Sequence, residues 1–255
     1  MKNIELLLGS EVSPNVKAIV PNLYSGSEFY PLPQPRCIRH VNGVYEIQLA
    51  GYHTQKSEFE KVMCNAFSEY FKKFTDMNLI EDVSITGVKE NINDGKGSSR
   101  FSTMSPELAE MLTTLINRTQ IPHETKISKS NFFRVADYFR FMRYENGGQH
   151  YPHYDSDYQF IADEDFITRY SMVLYHNHCD SGELFFCNDS RETITSDWDR
   201  QANDDEIYLT IKPAPMKLVI FPHTLCHGVK KFDGEQRDII RGDLIFSDRV
   251  LNYGY

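Results

Sequence analysis

From about residue 130 onward the chain is a succession of short runs rich in β-branched and aromatic residues, divided by turn signals: FFRVADYFRFMRY, SMVLYHN, GELFFC, EIYLTIKP, MKLVIF and RDIIRGDLIF. Runs of this kind are strands, and sheets with one apolar face need a second layer to cover it. The first half is written differently. SEFEKVMCNAFSEYFKKF (57–74) sets Phe59, Val62, Met63, Ala66, Phe67, Tyr70, Phe71 and Phe74 at helical spacing behind Ser57 as an N-cap. SPELAEMLTTLINRT (105–119) begins with Ser105 as N-cap, Pro106 at the first helical position and Glu107 in the first turn. VYEIQLAGY (44–52) reads as a strand, and the Gly- and Ser-rich stretch 90–104 reads as a loop. Helices first and strands after predict an α+β unit, a strand-rich barrel or sandwich buttressed by the N-terminal helices. The expected organisation is a single domain over 1–255. It has an irregular, proline-containing arm over 1–43, helical support over 44–125 and a β core over 126–250.

Composition narrows the class. With 40% hydrophobic and 25% charged residues, plus 15 Tyr and 17 Phe, the 255 residues suffice for a sizeable core in a soluble protein. A net charge of −9, with no Lys/Arg stripe to offset it, argues against a nucleic-acid partner. No stretch has the apolar length of a bilayer span, and the apolar run near the N-terminus is too short for a secretory signal, so the expectation is a cytoplasmic protein without a membrane partner. Five cysteines (37, 64, 179, 187 and 226) are scattered without a C-x-x-C pair, which fits reduced thiols.

The candidate chemistry lies in histidines and carboxylates. Two imidazoles and one carboxylate on one face of an octahedron leave open positions opposite, the arrangement of a non-haem iron centre. His-x-Asp supplies two of these from one strand, since residues i and i+2 point the same way. The pattern occurs twice, at His153-Tyr154-Asp155 and at His178-Cys179-Asp180. Spacing alone cannot choose between them.

Context favours the first. RYENGGQHYPHYDSD (143–157) runs from the end of a strand through a Gly147-Gly148 turn into His153 and Asp155. Downstream come TRYSMVLYHNHCDSGELFF and APMKLVIFPHTLCHGVKKFDGEQR. Over residues 130–246 this order resembles the prolyl 4-hydroxylase-like branch of the 2-oxoglutarate/iron(II) dioxygenases. In that pattern Tyr144 takes the strand-end Tyr and His153 and Asp155 the first two ligands. Tyr175-His176-Asn177 stands for Tyr-Leu-Asn, Ser181-Gly182-Glu183 for Gly-Gly-Glu, and His227 is the distal ligand. Arg237, ten positions beyond His227, takes the basic position.

The resemblance implies a distorted double-stranded β-helix (a jelly-roll or cupin-like barrel). It also implies iron(II), 2-oxoglutarate as co-substrate, O2, and ascorbate (vitamin C) as an accessory reductant. Arg237 would pair with the distal carboxylate of 2-oxoglutarate through two parallel hydrogen bonds, which a guanidinium makes better than an ammonium. Tyr144 and Tyr175 would be either hydroxyl donors at that site or plain core aromatics. His223 rivals His227 as the distal ligand, and Lys231 or Arg241 would replace Arg237 if the register slipped. His150 stands where the family often has a Tyr that contacts co-substrate or substrate. Cys226 reads as a small packed residue.

Arg237, Ile239, Arg241 and Asp243 share strand parity, so Arg241 and Asp243 should face the interior with Arg237; the same alternation puts Arg140 and Tyr138 on the side of Tyr144. Buried charges need partners. They form either a polar substrate pocket for an amino-acid carboxylate or amine, or an internal ion pair. The acidic stretch 188–206 reads as a solvated insertion placed where a lid could lie. Asp155 favours hydroxylation, or desaturation and related oxidations, over halogenation, because a related halogenase needs a small residue there. The expected function is hydroxylation of an unactivated C–H bond of a free or carrier-linked amino acid or related small molecule, with release of succinate and CO2. The alternatives are a peptidyl-prolyl 4-hydroxylase acting on a protein or peptide, and a non-catalytic 2-oxoglutarate/iron-binding sensor. The oligomeric state is not readable from the sequence.

Overall fold

A computed structural model describes residues 35–49, 68, 71–72, 74–86, 95–124, 131–156, 166–177, 179–191 and 198–247. Their strands, in chain order, are β1 (Arg36–Arg39), β2 (Tyr45–Gln48), β3 (Glu81–Ser84), β4 (Lys96–Met104), β5 (Asn131–Val135), β6 (Tyr138–Tyr144), β7 (His150–His153), β8 (Phe166–Tyr175), β9 (Leu184–Cys187), β10 (Ile207–Ile211), β11 (Lys217–Pro222), β12 (His227–Val229) and β13 (Arg237–Ser247). Two helices, α1 (Pro106–Asn117) and α2 (Ile121–Glu124), sit between β4 and β5. The strands form two antiparallel sheets. A large one has the order β1-β2-β11-β8-β13-β6-β4-β3, with β5 also paired to β13; a small one has the order β10-β9-β12-β7.

Strand parity decides which face of the large sheet meets which layer. On β13, β8 and β6 the residues Ile240, Leu244, Met172, Leu174, Phe139 and Phe141 share a buried cluster with Leu108, Leu112, Leu115 and Ile116 of α1. Residues of opposite parity, Ile239, Val173, Tyr175, Met142 and Tyr144, share a second cluster with Leu184 and Phe186 of the small sheet. The large sheet is therefore apolar on both faces, with helix on one side and sheet on the other. Each fully buried Leu, Ile or Phe contributes about 1.5–3 kcal/mol, so the two clusters account for most of what holds the layers together. Helix α1 starts as its sequence predicts, with Ser105 Oγ accepting from Leu108 N at 3.3 Å and Pro106 in the first turn.

Three expectations change. Residues 96–104 are not loop but the nine-residue strand β4, between β3 and β6. A Cβ at Gly97 would lie 2.5 Å from Ser84 O, so glycine is what lets β3 approach, and Phe101 stacks between Phe74 (3.9 Å) and Phe141 (4.7 Å). Small buried residues and one aromatic sheet contact make this strand, without the β-branched signature. The segment 44–125 is thus not purely helical support, since beyond the expected strand at β2 it carries β3 and β4. The arm over 1–43 is not wholly irregular either, because β1 pairs antiparallel with β2 at the edge of the large sheet.

Of the helix expected over 57–74, residues 68, 71, 72 and 74 are described and helical, with 75 and 76 continuing beyond its expected end; Phe71 and Phe74 are buried, and the rest, with Ser57, lies outside the described residues. The same is true of Cys64, while Cys37, Cys179, Cys187 and Cys226 are free thiols. Among the described residues no helix is long and apolar enough to cross a membrane.

Candidate metal and co-substrate site

The space between the two sheets holds the candidate chemistry. Short strands β7 and β12 pair antiparallel, with His227 opposite His153. This pairing brings the two imidazole centroids to 4.4 Å, and Asp155 follows two residues after His153. His153, Asp155 and His227 each offer a ligand atom, all within 4.8 Å of one another. His153 Nδ1 lies 2.8 Å from Tyr151 O and His227 Nδ1 lies 2.9 Å from Leu225 O. A carbonyl only accepts, so both rings carry their proton on Nδ1 and present the Nε2 lone pair. Such a carbonyl partner fixes tautomer and ring orientation in metal-ligating histidines. Burial, more than the neighbouring His153, pushes His227 down to about 3, which keeps the ring neutral across the physiological range.

Asp155 is held from the other side. Burial opposes its ionisation, but the charge of the Arg241 guanidinium outweighs it and keeps the carboxyl well below the usual range. Arg241 Nη2 pairs with Asp155 Oδ1, and Ser171 Oγ donates to Asp155 Oδ2. Two neutral imidazoles and a carboxylate, oriented by backbone carbonyls, a hydroxyl and a guanidinium, are a donor set suited to a divalent iron, and the residues present fit such an ion.

Arg237 occupies the deep end of the same interior. It is 1% exposed, and its Nε and Nη1 have no hydrogen-bond partner. The guanidinium carbon lies 4.0 Å from the centre of the Tyr144 ring. Gly182 adopts φ +74°, and a Cβ there would lie 2.6 Å from Arg237 Nη1, so the turn makes room for the guanidinium by having no side chain. Burial raises the Tyr144 and Tyr175 hydroxyls, with the charge of Arg237 opposing that rise in both; they stay protonated donors. His150 bridges this end to the metal ligands, its ring 5.7 Å from Tyr144 and 6.0 Å from His153. Burial, helped by the charge of Arg237, pushes His150 down to about 3, and its Nε2 has no partner. Buried, unpartnered donors on a cation are costly unless an anion completes them. A carboxylate such as the distal end of 2-oxoglutarate fits this cradle.

The alternatives weighed on the sequence fall elsewhere. His223 is buried against Asp243, with Nε2 3.2 Å from its Oδ1, and is not in the ligand cluster. Lys231 is exposed. Arg241 contacts Asp155 itself, too close to a metal ion to hold the far end of a five-carbon diacid. His178 lies outside the described residues. Arg237, Arg241 and Asp243 do share one face of β13, and Arg140 pairs directly with Arg241 across β6.

Ser171 was not singled out in the sequence, although its place two steps before Val173 and four before Tyr175 on β8 puts it on the same inner face. Cys226 packs with Phe185, Cys187 and Trp198 on the outer face of the small sheet. The described part of the 188–206 insertion is anchored there by Trp198, which is 2% exposed and flanked by the guanidiniums of Arg191 and Arg200. That face is turned away from the metal ligands; Trp198 pins the described part to it, while Asn188, Ser190, Asp199, Arg200, Asn203, Asp204 and Asp205 are exposed, as expected of a solvated insertion.

No protein-family model matches the sequence, and no curated protein is found similar to it. Solved structures are similar in fold. One is a prolyl-4-hydroxylase from Pseudomonas putida, with 14% identity, a TM-score of 0.50, and an alignment covering 80% of this chain and 92% of that one. Another is a prolyl hydroxylase from Trichoplax adhaerens in complex with a hypoxia inducible factor oxygen degradation domain peptide fragment. It has 14% identity and a TM-score of 0.50, and the alignment covers 80% of this chain and 84% of that one. The chain has the distorted double-stranded β-helix fold of these oxygenases, with helices laid on its large sheet.

Proposed function

We propose that the chain is an iron(II)- and 2-oxoglutarate-dependent dioxygenase that hydroxylates an unactivated C–H bond. The observation that carries this reading is the pairing, in one interior, of a His153–Asp155–His227 ligand cluster with the buried guanidinium of Arg237, whose Nε and Nη1 await an anion. When bound, iron would supply oxygen activation coupled to oxidative decarboxylation of 2-oxoglutarate, with release of succinate and CO2. The chain's own share is placement. His153 and His227 present Nε2, and their Nδ1 atoms are held by backbone carbonyls. Asp155 is kept ionised by Arg241 and Ser171. Arg237 holds the distal carboxylate beside the Tyr144 and Tyr175 hydroxyls. Val173, Ile239 and Phe221 form apolar walls that exclude water from the reacting groups.

The substrate in this reading is a small molecule, in particular a free or carrier-linked amino acid. A peptidyl-prolyl substrate is the second reading, supported by the peptide bound to the Trichoplax adhaerens neighbour. Anaerobic protein loaded with iron(II) and 2-oxoglutarate, then exposed to oxygen with a panel of amino acids and proline-containing peptides, should yield succinate together with a product heavier by one oxygen. Iron and 2-oxoglutarate binding with no succinate for any panel member would leave a sensor and refute the enzyme.

A further inference from the structure

Beyond Arg237, the inner face of β13 carries a second cluster of charge. Arg241 lies four residues further along the strand, about 13 Å away at strand rise. It is cross-strand partner to Arg140 of β6, and Asp243 is partner to Ser171 of β8. Arg241 Nη2 lies 3.7 Å from Asp243 Oδ1 and Arg140 Nη1 lies 4.0 Å from Asp243 Oδ2. His223 Nε2 also bonds Asp243, at 3.2 Å. One carboxylate is therefore shared among two guanidiniums and an imidazole. Arg241 also pairs with Asp155, which a metal ion would engage. Arg140 Nη1 is buried and has no hydrogen-bond partner; its contact with Asp243 is too long to be one. The Tyr138 ring, 5.1 Å from the Arg140 guanidinium carbon, supports the group from one side.

The two ends of the interior differ in access. Arg237 is sealed at 1% exposure, whereas the side chains of Arg140 and Arg241 are 17% and 16% exposed. A positive, partly open cluster beside the metal ligands, separated by three residues of strand from the co-substrate cradle, is built to receive a different anion.

We propose that Arg140 and Arg241, set by Asp243 and His223, form a subsite for the carboxylate of the primary substrate. This rests on the dioxygenase reading and narrows it: the substrate presents a free carboxylate, as a free amino acid or other small acid does and an internal proline of a peptide does not. A peptide C-terminus shares that chemistry.

The test is binding, read without turnover. Protein loaded with manganese(II) and 2-oxoglutarate under nitrogen is titrated calorimetrically with four sets of probes. These are the proteinogenic L-amino acids, their primary amides, short proline-containing peptides with free C-termini, and the same peptides amidated. At least one acid should bind at least about tenfold more tightly than its amide, the loss expected when a charge-assisted, forked contact is removed. Arg140→Gln should bring acid and amide to nearly equal affinity, and Arg140→Lys, which keeps the charge but not the fork, should fall between. Tighter free amino acids than free-C-terminus peptides assign the small acid; the reverse assigns the chain terminus. Equal binding of acids and amides, no binding by any probe, or discrimination untouched in a folded Arg140→Gln protein would each overturn the subsite while leaving the dioxygenase reading standing. Failure of manganese(II) or 2-oxoglutarate to bind removes that reading and this inference with it.

Discussion

Replacing Arg237 by Met should separate two quantities that usually fall together, stability and ligand affinity. In the unliganded protein the guanidinium is 1% exposed and leaves Nε and Nη1 unpartnered, at about 1–3 kcal/mol for each buried unsatisfied donor. Its stacking on Tyr144, with the guanidinium carbon 4.0 Å from the ring centre, returns about 1–2 kcal/mol in a desolvated setting. Met is of similar length and carries no charge. The unliganded variant should therefore be as stable as the parent or more stable by up to about 5 kcal/mol, each kcal/mol being about 2–4 °C in melting temperature at this size. Co-substrate binding should collapse. Two charge-assisted hydrogen bonds to a carboxylate are worth about 1.5–3 kcal/mol each, so the dissociation constant for 2-oxoglutarate should rise by about two to four orders of magnitude. At a ligand concentration near a hundred times the parent's dissociation constant, the parent gains about 2.7 kcal/mol, and the variant should gain almost nothing. Thermal melts of metal-loaded protein with and without 2-oxoglutarate read both effects. A variant that keeps the ligand-induced rise, or that loses more than about 3 kcal/mol without ligand, would show that Arg237 is a structural ion and not a carboxylate clamp.

Three further outcomes are expected. Ala at His153 or at Asp155 should abolish metal binding measured by equilibrium dialysis, while Ala at His178 should leave it intact; the opposite pattern would put the ligands in the second His-x-Asp pair. Gly182→Ala should cost about 1–3 kcal/mol for a side chain at φ +74° and weaken 2-oxoglutarate binding by displacing Arg237, so unchanged affinity would separate the turn from the cradle. Burial pushes His150, His176 and His227 down to about 3, against about 6.5 in the unfolded chain. Between those values the unfolded state binds more protons. The contribution is complete above about pH 6.5 and is lost as pH falls, at up to about 1.4 kcal/mol per pH unit per histidine. Denaturant melts of metal-free protein that do not weaken between about pH 7 and 5 would contradict the burial of these rings.

What the sequence made readable follows from how local each signal is. β8, β11 and β13 are long, buried and β-branched or aromatic, so their composition announces them. β4 is as long, but Lys96-Gly97-Ser98-Ser99 looks like a loop because its fit depends on close approach to β3 and on Phe101 finding Phe74 and Phe141 across the fold. β7 and β12 span four and three residues, too few for any pattern, and exist through pairing with each other and with β9. The three residues selected by motif order are nonetheless the ones whose ligand atoms meet, because order along the chain reflects which strands lie side by side. The anchoring of the 188–206 insertion was not readable, since nothing in an acidic stretch says which face its single Trp will find. Ser171 carries no signal in the sequence because a serine inside SMVLY looks like an interruption, and only its proximity to Asp155 gives it a role.

Strand β13 also acts as a ruler. Arg237, Arg241 and Asp243 hang from one strand, which pairs with β6 over 237–241 and with β8 over 239–247. Deleting one residue between 237 and 241 would turn one guanidinium outward while the other stayed, because the side-chain period is two. Deleting two would keep both inside but bring them about 7 Å closer. Length on this strand is therefore tightly constrained, whereas side-chain identity at 241 and 243 can change without disturbing 237. New specificities on this framework would be expected to arise by substitution along β13, not by insertion into it.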